Sequence, residues 1–263
     1  MATFEQLVAQ AQAAPVSGWD FAWLTARSST AGRLPWDYRA EVPRLSADAT
    51  SLLDMGTGGG EWLARLTPQP PRTVATEGWP PNVPVAARRL RQAGIPVVQD
   101  EGAADNTAED PGRGRLPFRG GAFTLVINKH EAFLAAEVSR VLAPGGTFVT
   151  QQVDTRTHDG IYHALGLAVP EQSASWLPLA QRQLREAGLT VRRAEAGEEL
   201  EQFADVAAII YYLRLVVWAV PGFTVERFAG RLRELRELHD TAAAWPVTVR
   251  QRRFLVVATK PSA

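Results

Sequence analysis

Residues 52–66 read LLDMGTGGGEWLARL, and few chain conformations satisfy that order. An apolar run that closes on an acid, Asp54, predicts a short buried strand. Gly56, Gly58, Gly59 and Gly60 follow, so the chain turns through conformations that side chains resist and brings bare backbone close to its neighbours. A helical pattern opening at Glu61 predicts a helix whose first N–H groups face a ligand.

The same alternation continues to residue 153. Strands are predicted at 51–54, 73–77, 95–99, 123–128 and 147–153, with helices at 84–93 and 131–142 between them. Short apolar strands separated by helices make a parallel sheet covered on both faces. Residues 100–116 read as an acidic, Gly-rich loop. Beyond 154 the rhythm loosens into helix 178–187, strand 189–195, helical stretches 205–218 and 225–238, and a last strand at 253–260. Before the first strand lie an amphipathic helix at 3–13, packing candidates Trp19, Phe21, Trp23 and Leu24, and a Ser-, Pro-, Arg- and Gly-rich stretch at 27–49.

Composition excludes several functions. The chain has 263 residues, enough for one large domain or a core with a cap. With no cysteine there is no disulfide, thiolate nucleophile or cysteine-held zinc or iron–sulfur cluster, and no metal site is assigned. No apolar run reaches the ~20 residues of a membrane span, and the first residues lack a secretory pattern, so a cytoplasmic location is expected. Basic and acidic residues balance at 28 each, which disfavours a large nucleic-acid partner. Monomer and dimer remain open.

The glycine run does not spell a dinucleotide loop. G-x-G-x-x-G places Glu61 sixth when counted from Gly56 and Leu63 sixth when counted from Gly58. Asp54 and Glu61 would repel a pyrophosphate and suit a cation. The P-loop pattern fails as well, since no Lys-Ser or Lys-Thr follows.

The pattern that fits is D-x-G-x-G-x-G, at Asp54, Gly56, Gly58 and Gly60. With it come Glu77 closing the second strand, LPFRGGAFTLVINKHE at 116–131 and EVSRVLAPGGTFVTQQV at 137–153. Four motifs in this order, across roughly residues 50–153, resemble the class I S-adenosylmethionine-dependent methyltransferases, particularly the type 11 group. Thr124 stands where that family usually has Asp. The resemblance implies an α/β Rossmann-like fold, with a mostly parallel seven-stranded sheet, helices on both faces and an antiparallel edge formed by the last two strands. It implies S-adenosylmethionine as methyl donor, S-adenosylhomocysteine as product and a small-molecule acceptor. An RNA base methyltransferase and a non-catalytic cofactor-binding protein are the alternatives.

Carried onto this chain, the family pattern sets Gly56, Thr57, Gly58 and Gly60 against the methionine and ribose. Asp54 would hold the α-ammonium, Glu77 the ribose hydroxyls, Gly78 and Trp79 the adenine, and Asn128 the methionine side. Asp100 is the choice for the adenine amino group, with Glu101 and Asp105 as alternatives. Ligands of open parallel sheets bind at the carboxyl ends of strands. His130 and Glu131 are therefore the candidate catalytic residues, unless they merely start the next helix. Gln151 or Gln152 would orient the acceptor, only one of the pair facing the pocket. Asp154 and His158 follow the same strand. Trp36 and Tyr38 belong to a lid that touches substrate. The apolar stretch 207–223 reads as core or as the wall of a substrate pocket. The domain reading is an N-terminal helical lid at 1–49 and a methyltransferase domain at 50–263, with a helical cap-like insertion about 200–245.

Overall fold

All seven expected strands form, and an eighth joins them. The computed structural model describes residues 2–16, 21–104, 114–171, 175–241 and 247–262; Trp19 and Asp105 lie outside these. In chain order the elements are α1 (Phe4–Ala13), α2 (Ala22–Thr25), β1 (Ser28–Ala31), α3 (Tyr38–Ala47), β2 (Ser51–Met55), β3 (Arg72–Glu77), α4 (Val83–Leu90), β4 (Val97–Gln99), β5 (Phe123–Lys129), α5 (Ala135–Val141), β6 (Leu142–Val153), α6 (Asp159–Ala164), α7 (Leu177–Glu186), β7 (Thr190–Phe203), α8 (Val206–Leu215), α9 (Val225–Thr241) and β8 (Thr248–Thr259).

The strand order is β1-β7-β8-β6-β5-β2-β3-β4. β2 pairs in parallel with β3 and β5, β3 with β4, and β5 with β6. β8 pairs antiparallel with β6. All five residues of β2 are buried, as a central parallel strand requires. Because the chain moves outward from β2 to β4 and then returns to β2's other side, the order reverses between β2 and β5. That reversal opens a crevice at the carboxyl ends of those two strands.

The structure corrects the sequence reading in several places. No helix starts at Glu61; residues Leu63–Arg65 make only one 3-10 turn. Pro68, Pro70 and Pro71 follow and deny a helix its N–H donors. The helix expected from 131 starts at Ala135, because His130 takes a left-handed conformation, φ 63°, and turns the chain first. β7 runs on to Phe203 and is not an edge, since β1 pairs with it antiparallel from Ser28↔Phe203 to Ala31↔Leu200. β1 reads SSTA and is mostly exposed, so it carries no alternation that a sequence pattern could reveal. α3 contains Pro43, which hides a helix from the same kind of reading.

Two units can be distinguished. One comprises Met1–Leu34, Thr155–Ala174 and Glu198–Arg252; the other comprises Pro35–Asp154, Ser175–Gly197 and Arg253–Ala263. In the first, α8 is the core: every residue from Val206 to Leu215 except Arg214 is buried, against Leu7, Ala11, Leu24 and Phe228 among others. The stretch 207–215 therefore packs as core, and the helix stops three residues before the expected end at Trp218. In the second unit the core lies about Leu53, Val126, Phe148 and Val256 on the strands and Val138 and Leu184 on the helices.

Asp205 caps α8, its carboxylate accepting the Ala208 N–H at 2.9 Å. Asp205→Ala is expected to lower stability by about 1 kcal/mol, read as a shift of the urea midpoint. An unchanged midpoint would mean that burial alone holds this helix.

Candidate functional site

Each of four neighbouring strands has an acid within two residues of its carboxyl end: Asp54 on β2, Glu77 on β3, Asp100 after β4 and Glu131 after β5. Asp54 and Glu77 are buried. The glycine loop between the first two uses left-handed backbone at Gly56, Gly58 and Gly60, with φ of 68°, 63° and 76°.

The N–H groups of this loop are largely spent inside the protein. Gly56 donates to the Thr76 hydroxyl at 3.3 Å and Thr57 to the Thr76 carbonyl at 2.9 Å. Gly58 donates to the Glu77 carboxylate at 2.6 Å and Gly60 to the Thr57 carbonyl at 3.1 Å. The second Glu77 oxygen accepts the Trp79 N–H at 2.9 Å. Glu77 thus ties the loop to the end of β3. A loop so wired is a poor phosphate cradle, which needs N–H groups turned outward. Glu61 does not face a ligand either; it is ion-paired with Arg89 of α4, which also donates to the Gly59 carbonyl.

The space above the loop is tight. A side-chain carbon at Gly56 would come within 2.7 Å of the Glu131 side chain, and one at Gly102 within 2.8 Å of its carboxylate. Glu131 therefore stands between the glycine loop and the segment after β4. It does not start a helix, whose first turn instead holds Glu137. A carbon at Gly78 would meet the Asp100 carbonyl at 2.8 Å, so β3 and β4 close together where the loop turns. Trp79 beside it is 44% exposed, an indole ring left open at the rim.

Burial shapes the charge of these acids. Desolvation pushes Asp54 up to about 7, with the neighbouring charge of Glu77 adding to it. Desolvation also pushes Glu131 to about 7, helped by Glu77 and Asp100. Glu77 and Asp100 are raised for the same first reason. Among the described residues no three acidic or histidine side chains are placed to share a metal ion. What such a site favours is a cation with hydroxyl groups.

Further polar and aromatic side chains meet at the end of β5 and along β6. Asn128 Oδ1 accepts from the Thr150 hydroxyl at 2.7 Å and from Gln152 Nε2 at 2.6 Å; Gln152 also donates to the Glu131 carbonyl at 2.9 Å. Asn128 Nδ2 is buried and has no hydrogen-bond partner among the described residues. Tyr38 and Trp36, at the start of α3, are buried as well. Tyr38 donates to the Asn128 carbonyl at 3.2 Å, and its ring lies 5.7 Å from that of Trp62. Desolvation, with Asp54 nearby, holds its phenol well above the ordinary range. Trp36 Nε1 donates to Gln151 Oε1 at 2.8 Å, and Gln151 Nε2 lies 3.1 Å from His130 Nε2.

Not every candidate joins the site. Asp154 accepts from the Ser175 hydroxyl and the Trp176 N–H ahead of α7. His158 belongs to the other unit and meets the Tyr212 hydroxyl at 2.8 Å. Thr76 and Gly102, which shape the loop and make room for Glu131, were not read from the sequence. Only their position after or within a strand marked them.

Residues 53–150 match the family Methyltransf_11, described as a methyltransferase domain. No curated protein matches the chain in sequence. Among solved structures, a candidate methyltransferase from Bacillus halodurans is 18% identical, with a TM-score of 0.56, covering 86% of this chain and 99% of that one. The YcgJ protein from Bacillus subtilis is 17% identical, with a TM-score of 0.53, covering 86% and 98%. A Deinococcus radiodurans R1 protein of unknown function is 18% identical, with a TM-score of 0.50, covering 88% and 90%. At these identities the shared feature is the Rossmann-like fold. No helix among the described residues is long and apolar enough to cross a membrane.

Proposed function

We propose that this chain, whose residues 53–150 carry a methyltransferase domain, moves a methyl group from S-adenosylmethionine to a small-molecule acceptor. One observation carries the cofactor reading: four buried or half-buried carboxylates gather at adjacent strand ends while most N–H groups of the glycine loop are taken by Thr76, Glu77 and Thr57. That suits a cationic, hydroxyl-bearing ligand and disfavours a phosphorylated one.

Asp54 would hold the α-ammonium and the Glu77 carboxylate the ribose hydroxyls. Asp100 would take the adenine amino group, with Gly78 giving the ring room and Trp79 covering it. Asn128 Nδ2, a buried donor without a partner, would face the methionine carboxylate. When bound, the cofactor would supply an electrophilic methyl group. The protein's task is then to position the acceptor and exclude water. Glu131, at about 7, can give up or take a proton near neutral pH beside the glycine loop. Tyr38, bonded to the Asn128 carbonyl of β5, and Trp36, bonded to Gln151 of β6, would border the acceptor.

The acceptor is tested with methyl-labelled cofactor and cell extract divided into small-molecule and RNA fractions. Label is expected in the small-molecule fraction. Label confined to RNA would overturn that choice, and no label in either fraction would favour a non-catalytic binder.

A further inference from the structure

An indole N–H can only donate. The Gln151 atom 2.8 Å from Trp36 Nε1 must therefore be the amide oxygen. The other end of that amide, an NH2 group, then faces His130 Nε2 at 3.1 Å. An NH2 group can only donate, so Nε2 must accept and cannot carry hydrogen. In the neutral ring the proton then sits on Nδ1. No described residue accepts from Nδ1, and His130 keeps exposed surface at the carboxyl end of β5.

We propose that Trp36 and Gln151 are positioning residues that lock His130 as the neutral Nδ1–H tautomer, so that the ring meets the methyl acceptor as a hydrogen-bond donor and not as a base. Taking a proton at Nε2 would set two donors against each other, and relieving them by turning the amide would set its NH2 against the indole N–H. The buried indole of Trp36 leaves little room for either outcome. The charges around the ring agree. Desolvation of the ring, then Arg253 of β8 and Lys129 of β5, oppose an imidazolium, although the residue as a whole is partly open. The acceptor class follows: it presents an oxygen or nitrogen lone pair to Nδ1–H and does not depend on His130 to remove its proton.

The donor role rests on the methyl-transfer reading, but the tautomer does not, so the two can fail separately. The tautomer is read on the ligand-free protein by long-range proton–nitrogen NMR of the imidazoles, with His130 assigned from the signals lost in His130→Gln. Nδ1–H is expected, with no titration near pH 6.5. An Nε2–H ring, or ordinary titration, would overturn the lock. Trp36→Phe removes the constraint on the amide and is expected to bring His130 back toward ordinary titration. Gln151→Glu places a carboxylate against Nε2 and is expected to raise the titration at least tenfold in proton affinity above that of the parent protein. If Trp36→Phe does not fold, Gln151→Glu alone decides, and an unmoved His130 in Gln151→Glu overturns the proposal. In turnover, the parent's pH profile is expected to lack a histidine limb that Gln151→Glu introduces, an effect that a merely structural contact would not produce.

Discussion

Glu77→Ala is expected to weaken S-adenosylhomocysteine binding about a hundredfold or more, measured by calorimetry, since charge-assisted hydrogen bonds contribute roughly 1.5–3 kcal/mol each. The variant loses two things together. It removes the acceptor proposed for the ribose hydroxyls, and it orphans the Gly58 and Trp79 N–H groups that the carboxylate now satisfies. Glu77→Gln separates them only in part. One end of the amide can still accept, but its NH2 end must face one of two backbone donors, so a loss between the parent and Glu77→Ala is expected. Unchanged affinity in Glu77→Ala would remove the proposed cofactor site.

The second large effect is a pair of opposite responses to pH. Asp54 and Glu131 keep their protons to about pH 7 in the folded chain, whereas their ordinary values are 3.8 and 4.5. Across that window the folded state binds more protons than the unfolded state. Stability of the ligand-free protein therefore falls as pH rises from about 4 to about 7, then levels off. Affinity for a ligand bearing an ammonium group runs the other way, because only the ionised acid attracts it. S-adenosylhomocysteine is expected to bind about tenfold more weakly at pH 6 than at pH 8 for each acid that must ionise. Asp54→Asn separates the responses. Moving a carboxyl from 3.8 to about 7 costs the folded state up to about 4 kcal/mol at pH 8, so the variant is expected to be about 2–4 kcal/mol more stable there. It is expected to bind the ligand more weakly all the same. Affinity flat between pH 6 and 8, or an Asp54→Asn protein no more stable at pH 8, would contradict the charge state assigned to the site.

Where pattern and local chemistry coincide, the chain was legible. β2 through β6 are legible because buried parallel strands are short apolar runs, and the acids Asp54, Glu77 and Asp100 stand out because each lies at or beside the end of one. Other features left no such trace. β1 is polar and exposed, and pairs only because β7 is long enough to offer it an edge. The helix at Glu61 failed because prolines further along the chain stop it, and that at Glu131 because one left-handed residue at 130 redirects the chain.

The sequence by itself determined that a glycine turn follows a buried strand, that acids stand at successive strand ends, and that the chain resembles a sulfonium-cofactor family. Those features are local, and the periodicity of apolar residues writes them into the chain. Only the tertiary structure decided how the acids and glycines are used. Glu61 turns away to Arg89, Glu131, 75 residues on and just past β5, comes over Gly56, and Trp36 fixes the proton of His130 through an amide 115 residues away. The donor and acceptor rules that set the tautomer apply only once those three side chains touch, and contact between residues so distant in sequence leaves no mark on either segment alone.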